Sequence, residues 1–323
     1  MGRKVYVMPR FVPYIEDYLK ENNVEIVTGT QANPQDLMEN ALDCDGFIVA
    51  VCPVEREYME KAKNLKVVAK LGVGVDNIDV NAANDLGIWV GFAPQSNSLS
   101  VAEITITAIC NVSRKYSRML DATRNNNWQN RLPDLIGQEM EGKTILVIGL
   151  GRIGSIVAKK AHFGLGMNVL GYNHGVVDSK RFPDYIEMQA DLDEAIKKAD
   201  YITIHTPLTE ETNGMFSKER LALMKPTAYL INMARGAMVD EDALYHAIKD
   251  GQIAGAALDV LCVEPPEMDN PLFTLDNVYI TPHKASHTKD AQRRMAEHAA
   301  MNVVSVLDGK EPVWPYNHPE KLR

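Results

Sequence analysis

Short runs rich in valine, isoleucine and leucine alternate with helical patterns from the first residues onward. Residues 4–8, 24–28 and 47–51 read as strands, with a helical stretch over 14–21 and another helix before the third strand. A helix over 55–63, a strand over 66–70 and a strand over 88–92, after the turn closed by Gly87, continue the rhythm. Strands that alternate with helices are joined by crossovers rather than hairpins, so this part predicts a parallel sheet in a doubly wound unit. From 98 to 118 the spacing changes: Val101, Ile104, Ala108 and Val112 recur at helical intervals and predict one long helix leaving that unit. Residues 125–133 read as a loop. Strands at 144–148, 168–172, 201–205, 228–232, 254–259 and 278–281 then predict a second parallel sheet. A last helix over 290–307 can return to the first unit, which makes that unit discontinuous.

Length and composition narrow the class. A chain of 323 residues exceeds what one ordinary core supports, roughly 250 to 300 residues, so two domains are expected. Apolar residues make up 46% and charged ones 24%, a balance that buries a core and differs from that of a disordered chain. Acidic residues outnumber basic ones, 43 to 34, and the resulting field repels phosphate backbones; no nucleic-acid partner is expected. The apolar stretch after Arg3 and Lys4 stops at Pro9, short of a signal-peptide core or a membrane span, so a cytoplasmic protein with no membrane partner is expected. Cys44, Cys52, Cys110 and Cys262 lie at irregular intervals without a C-x-x-C pair and suggest neither a disulfide framework nor a zinc site. His283 and His287 are four apart, but no carboxylate or cysteine cluster accompanies them, and no metal is expected.

One turn carries a recognisable chemistry. GLGRIG, residues 149–154, follows the strand TILVI and opens a helix. In that order Gly149 allows a tight turn, Gly151 lets the backbone approach a pyrophosphate, and Gly154 permits close packing of helix on strand. The free N–H groups and positive dipole of the helix start favour the phosphates. A dinucleotide is therefore the expected cofactor. An acidic residue at the end of the next strand holds the ribose hydroxyls of NAD, yet Asn173 stands there, followed by His174. An amide does not repel a 2′-phosphate. NAD is expected, with NADP also acceptable, and Lys180 and Arg181 lie close by in sequence.

Three polar residues follow successive strands of the second sheet: Arg235, Glu264 and His283. Ligands bind at the carboxyl ends of strands in such sheets. An arginine holds a carboxylate through two parallel hydrogen bonds and polarises a neighbouring carbonyl. A histidine gives or takes a proton near neutral pH, and a nearby carboxylate orients its ring. Together they suit reduction of a 2-keto acid. Each also has a plain structural reading, as a turn cap, a solvated loop carboxylate before Pro265 and Pro266, and a strand-end ring.

The runs NMARGAMVDEDAL from Asn232, AALDVLCVEPP from Ala256 and YITPHKASHT from Tyr279 resemble the D-isomer-specific 2-hydroxyacid dehydrogenase family, as do LGVGVDNID from Leu71, SNSLSVAE from Ser96 and HTPLTEET from His205. The resemblance runs in register over nearly the whole chain. It implies an α/β fold with two doubly wound parallel-sheet domains. A Rossmann cofactor domain, 99–287, would be inserted in a discontinuous flavodoxin-like substrate domain built from 1–98 and 288–323. It implies that Arg235 binds the substrate carboxylate and carbonyl, that His283 is the acid/base with Glu264 as its dyad partner, and that Gly74 and Val75 offer N–H groups to the carboxylate. It further implies that Gly149, Gly151, Arg152, Ile153 and Gly154 meet the pyrophosphate and Asn173 the adenine ribose. Thr206, Pro207, Met233, Ala234, Arg235, Asp259 and His283 would complete the cofactor site, with substrate between the domains. A homodimer through residues 98–130 is implied as well. Residues 50–53 lack the Arg-Ser pair of many phosphoglycerate dehydrogenases, which favours a small unphosphorylated acid. A dinucleotide-sensing corepressor and a short D-3-phosphoglycerate dehydrogenase remain open as alternatives, and a formate dehydrogenase is disfavoured by Glu264.

Overall fold

The computed structural model describes residues 3–30, 33–125, 128, 135–175 and 181–323. They form two compact units, Met1–Asn97 with Ser286–Arg323, and Ser98–Ala285.

The first unit holds β1 (Arg3–Val7), α1 (Val12–Glu21), β2 (Val24–Val27), α2 (Pro34–Asn40), β3 (Gly46–Val49), α3 (Arg56–Lys61), β4 (Val67–Lys70), α4 (Val80–Asp85) and β5 (Trp89–Gly91). The strands make one parallel sheet in the order β2-β1-β3-β4-β5. Every residue of β3 and β4 is buried, which is why these strands read as continuous runs rather than alternating ones: a parallel sheet is covered on both faces. Part of the cover comes from the far end of the chain. The helix α11 (Lys289–Leu307), capped by Thr288 Oγ1 accepting the Ala291 N–H at 3.0 Å, buries Ala291, Met295, Ala299 and Val303 in this core.

The second unit opens with α5 (Ser98–Arg114) and α6 (Tyr116–Arg124). The single long helix expected here is broken. Lys115 adopts φ +51, and Asn111 Oδ1 accepts the Ser117 N–H at 2.8 Å and its hydroxyl at 3.0 Å, so a side chain supplies the bond that the helical ladder would have made. After the loop come β6 (Thr144–Ile148), α7 (Arg152–Leu165), β7 (Asn168–Tyr172), β8 (Ile186–Met188), α8 (Leu192–Lys198), β9 (Tyr201–Ile204), α9 (Lys218–Leu221), β10 (Tyr229–Asn232), α10 (Glu241–Lys249), β11 (Gly255–Leu258) and β12 (Val278–Ile280). They form a seven-stranded parallel sheet, β12-β11-β10-β9-β6-β7-β8. The three-residue β8 has no counterpart among the expected strands. Strand order reverses between β6 and β9, and the GLGRIG turn follows β6 at that switch point, where a crevice opens in such sheets. Residues 126, 127 and 129–133 of the expected loop lie outside the described residues.

Candidate active site

The register of the second sheet brings the candidate residues to one edge. Tyr172, Ile148, Ile204, Asn232, Leu258 and Ile280 lie side by side across β7, β6, β9, β10, β11 and β12. The next residue on each strand is therefore Asn173, Gly149, His205, Met233, Asp259 and Thr281. Backbone bonds carry the ladder into that row: Gly149 N–H to Tyr172 O at 2.8 Å, His205 N–H to Ile148 O at 2.7 Å, Asp259 N–H to Asn232 O at 3.0 Å and Thr281 N–H to Leu258 O at 2.9 Å.

The glycine turn fits a dinucleotide pyrophosphate. Gly149 has φ +91, and a Cβ there would meet the His205 carbonyl carbon at 2.6 Å and the Thr206 nitrogen at 2.7 Å. A Cβ on Gly154 would stand 2.0 Å from Gly149 O. Both glycines are thus required by the protein's own packing. Gly151 is not: a Cβ there would find no atom within 4 Å. The position that the fold leaves open is the one where a phosphate would approach, at the N-cap of α7. No side chain caps that helix, and its first-turn N–H groups, from Arg152, Ile153 and Gly154, have no partner within the helix. Burial pushes the neighbouring His205 imidazole down to about 3, and the ring stays neutral beside Thr203 Oγ1, 2.9 Å from Nε2. Asn173 Oδ1 accepts the Leu150 N–H at 2.7 Å. Arg181 is exposed, and Lys180 lies outside the described residues. Pro207 follows Thr206 in an exposed loop whose carbonyl accepts the Thr212 hydroxyl at 2.8 Å.

Glu264 and His283, far apart in sequence, meet: His283 Nδ1 is 2.6 Å from Glu264 Oε2. The other glutamate oxygen accepts the Leu261 N–H at 3.0 Å, so the carboxylate is fixed from both sides. His283 itself adopts φ +51, a conformation uncommon outside glycine, with its N–H bonded to Asp259 O at 2.8 Å and Thr281 O at 2.9 Å. Its side chain remains 43% exposed. The Arg235 segment adjoins this pair. Gly236 is packed so closely on the Leu261–Cys262 backbone that a Cβ would fall 2.0 Å from the Leu261 carbonyl carbon. Arg235 Nη1 donates to Ala234 O at 2.8 Å.

Sequence reading missed how this edge is held. Asn232 folds back over the next turn, Oδ1 accepting the Ala234 N–H at 3.0 Å and Nδ2 donating to Arg235 O at 2.8 Å. An asparagine ending a strand before a turn is the signal that was available for it. Asp259, expected beside the nicotinamide, is 2% exposed, and its carboxylate accepts the Thr281 hydroxyl at 2.6 Å and the N–H groups of Lys284 at 2.8 Å and Ala285 at 2.7 Å. It anchors the turn that carries His283. In the first unit, Gly74 and Val75 form the turn after β4, closed by Ile78 N–H to Val75 O at 2.8 Å. No group of three or more histidine, cysteine, aspartate or glutamate side chains able to hold a metal occurs among the described residues. No helix among them is long and apolar enough to cross a membrane.

Residues 106–285 match the family model described as D-isomer specific 2-hydroxyacid dehydrogenase, NAD binding domain. A glyoxylate reductase of Thermofilum pendens is 40% identical over 288 residues, 86% of this chain and 83% of that protein. The chain belongs to the D-isomer-specific 2-hydroxyacid dehydrogenase family. A family member, D-3-phosphoglycerate dehydrogenase of Methanocaldococcus jannaschii, is 41% identical over 301 residues, 92% of this chain but 57% of that protein. The chain thus spans little more than half the length of that relative. Among solved structures, the TT0316 protein from Thermus thermophilus superposes with a TM-score of 0.87 at 34% identity, covering 98% of this chain and 100% of that one. The candidate residues Arg235, Glu264 and His283, singled out by the sequence motifs noted above, follow β10, β11 and β12.

Proposed function

We propose that this chain moves a hydride between a nicotinamide dinucleotide and C2 of a small unphosphorylated 2-keto or 2-hydroxy acid, with D specificity at C2. The observation that carries the reading is the Glu264–His283 pair, 2.6 Å apart, on the strand-end edge shared with the Arg235 segment and the glycine turn. Arg235 is the carboxylate ligand, through parallel N–H bonds from its guanidinium fork, and its charge polarises the adjacent carbonyl. Glu264 accepts from Nδ1 and so keeps a proton on that nitrogen, leaving Nε2 to act on substrate. In reduction His283 gives a proton to the carbonyl oxygen as negative charge develops there; in oxidation it removes the hydroxyl proton. When bound, the dinucleotide supplies the hydride to C2 or receives it. Gly151, Arg152, Ile153 and Gly154 hold its pyrophosphate, with Thr206, Pro207, Met233, Ala234 and the Asp259 region along the edge. Asn173 meets the adenine ribose and leaves NADP acceptable beside NAD. In the first unit, the Gly74 and Val75 N–H groups are that unit's contact with a carboxylate. Residues 50–53, which carry the exposed Val51 and no arginine, support an unphosphorylated substrate.

A homodimer through α5 and α6 belongs to the same reading. A cavity of about 580 Å³ beside these helices, lined by Ile104, Ala108, Met119 and Tyr279 among others, and exposed Tyr116 and Leu120 support it. A cytoplasmic location also belongs to it.

The test is a panel of pyruvate, glyoxylate, hydroxypyruvate, branched 2-keto acids and phosphohydroxypyruvate, each with NADH and with NADPH, followed by loss of the reduced dinucleotide. Turnover of the small unphosphorylated acids is expected. Tight dinucleotide binding without oxidation by any acid would instead assign a sensing role, and turnover confined to the phosphorylated acid would assign phosphoglycerate metabolism.

A further inference from the structure

The carboxyl ends of β1, β3 and β4 enclose a polar cluster that none of the roles above uses. In a sheet of order 2-1-3-4-5 this is the edge at which ligands gather. Lys70, the last residue of β4, is only 8% exposed. A buried ammonium is tolerated only where acceptors meet its charge. Lys70 Nζ donates to the carbonyl of Ala50, just past β3, and to Oδ1 of Asn77, just past the Gly74–Val75 turn. Asn77 returns the link, donating from Nδ2 to Ala50 O at 3.1 Å and to Cys52 O at 2.6 Å, while its own carbonyl accepts the Val54 N–H at 2.8 Å. The Ala50 N–H in turn points to Met8 Sδ, 2.9 Å away, at the end of β1. The lysine stem passes beneath the next turn: a Cβ on Gly72, where φ is +141, would stand 3.9 Å from Lys70 Cε. One ammonium therefore ties residues 50–54 to residues 71–77. These two segments expose Val51 at 68% and Val73 at 38%, together with Pro53 and the carboxylate-bearing Asp76.

We propose that Lys70 is a positioning residue for substrate: its buried ammonium locks the loop after β3 to the loop after β4. The lock fixes the Gly74–Val75 anion turn and sets beside it an apolar surface, Val51 and Val73, for the group attached to C2. The ammonium is engaged inward by Ala50 and Asn77, so it tunes the turn from behind rather than gripping a phosphate. Small apolar 2-keto acids are the class this surface takes. The proposal rests on the reading that a 2-keto acid meets these loops.

The test uses Lys70→Met in the full chain, which keeps the stem and removes the donors, with two readouts. Amide hydrogen exchange should quicken in both 50–54 and 71–77. KM for the best acid of the panel should rise about ten- to a hundredfold, the scale of lost charge-assisted hydrogen bonds. The kcat should change far less, the dinucleotide affinity should hold, and Lys70→Arg should recover much of the KM. Unchanged exchange in either segment overturns the proposal, and so do loosened segments with an unchanged KM. If Lys70→Met fails to fold, Asn77→Ala removes the shared partner and must give the same pattern; tight segments there refute the lock. Should the parent chain turn over none of the acids, the hydride-transfer reading fails by itself, and the exchange experiment still decides whether Lys70 couples the two loops.

Discussion

An amide side chain has two unlike ends, and at Asn173 the fold chooses between them. The Leu150 N–H, 2.7 Å away, requires an acceptor, so the oxygen points to the glycine turn and the NH2 group is the end left for a ligand. A carboxylate in the same place would satisfy Leu150 with one oxygen and keep the other as an acceptor for ribose hydroxyls, while repelling a 2′-phosphate. The amide reverses both preferences: it donates, and it carries no charge. Asn173→Asp should therefore raise the ratio of kcat/KM with NADH to kcat/KM with NADPH by about tenfold or more, the scale of a charge-assisted hydrogen bond gained and a like-charge contact imposed. Measured on the purified variant with one keto acid, an unchanged ratio would mean that the ribose does not meet this residue.

At the scale of elements, the site depends on strand ends in register and on the turns hung from them. Asp259 accepts three hydrogen bonds from the 281–285 turn, and the same turn holds His283 at φ +51. Asp259→Asn keeps the shape but sets an NH2 group against an N–H donor, and the turn must shift. Turnover should fall about a hundredfold, as expected for displacement of a reacting group by roughly an ångström, with the circular dichroism of the fold retained. Parent-like kinetics would show that His283 needs no such anchor. The strands themselves were legible in the sequence to within a residue or two, because β3, β4, β9 and β10 are buried throughout and read as unbroken apolar runs. The break between α5 and α6 was not, since helical spacing of apolar residues continues across it and only the Asn111 side chain, reaching Ser117, ends the ladder. The strand β8 lies at the edge of the sheet with the exposed Glu187 between Ile186 and Met188, so it makes no unbroken apolar run.

Across the whole molecule, two parallel sheets each reverse strand order once, and the residues proposed to act lie just beyond their carboxyl ends. The local signals for this, a glycine triplet after TILVI and motifs in sequence order, were present in the chain. Long-range partners were not in the local spacing: Lys70 with Ala50 and Asp259 with Ala285 are joined only when strands pair, nothing near Asp259 encodes that it turns inward, and Glu264 with His283 was legible only through the family's motifs. Such contacts follow from register, which the burial of whole strands sets. The central claim is that the imidazole at this edge moves the substrate proton while the glycine turn binds the dinucleotide independently. The measurement that tests it most directly compares His283→Ala with the parent chain in two assays, turnover of the best keto acid and dinucleotide affinity by titration. A loss of kcat of about a hundred- to ten-thousandfold with affinity within a few-fold is expected. Turnover close to that of the parent would contradict it.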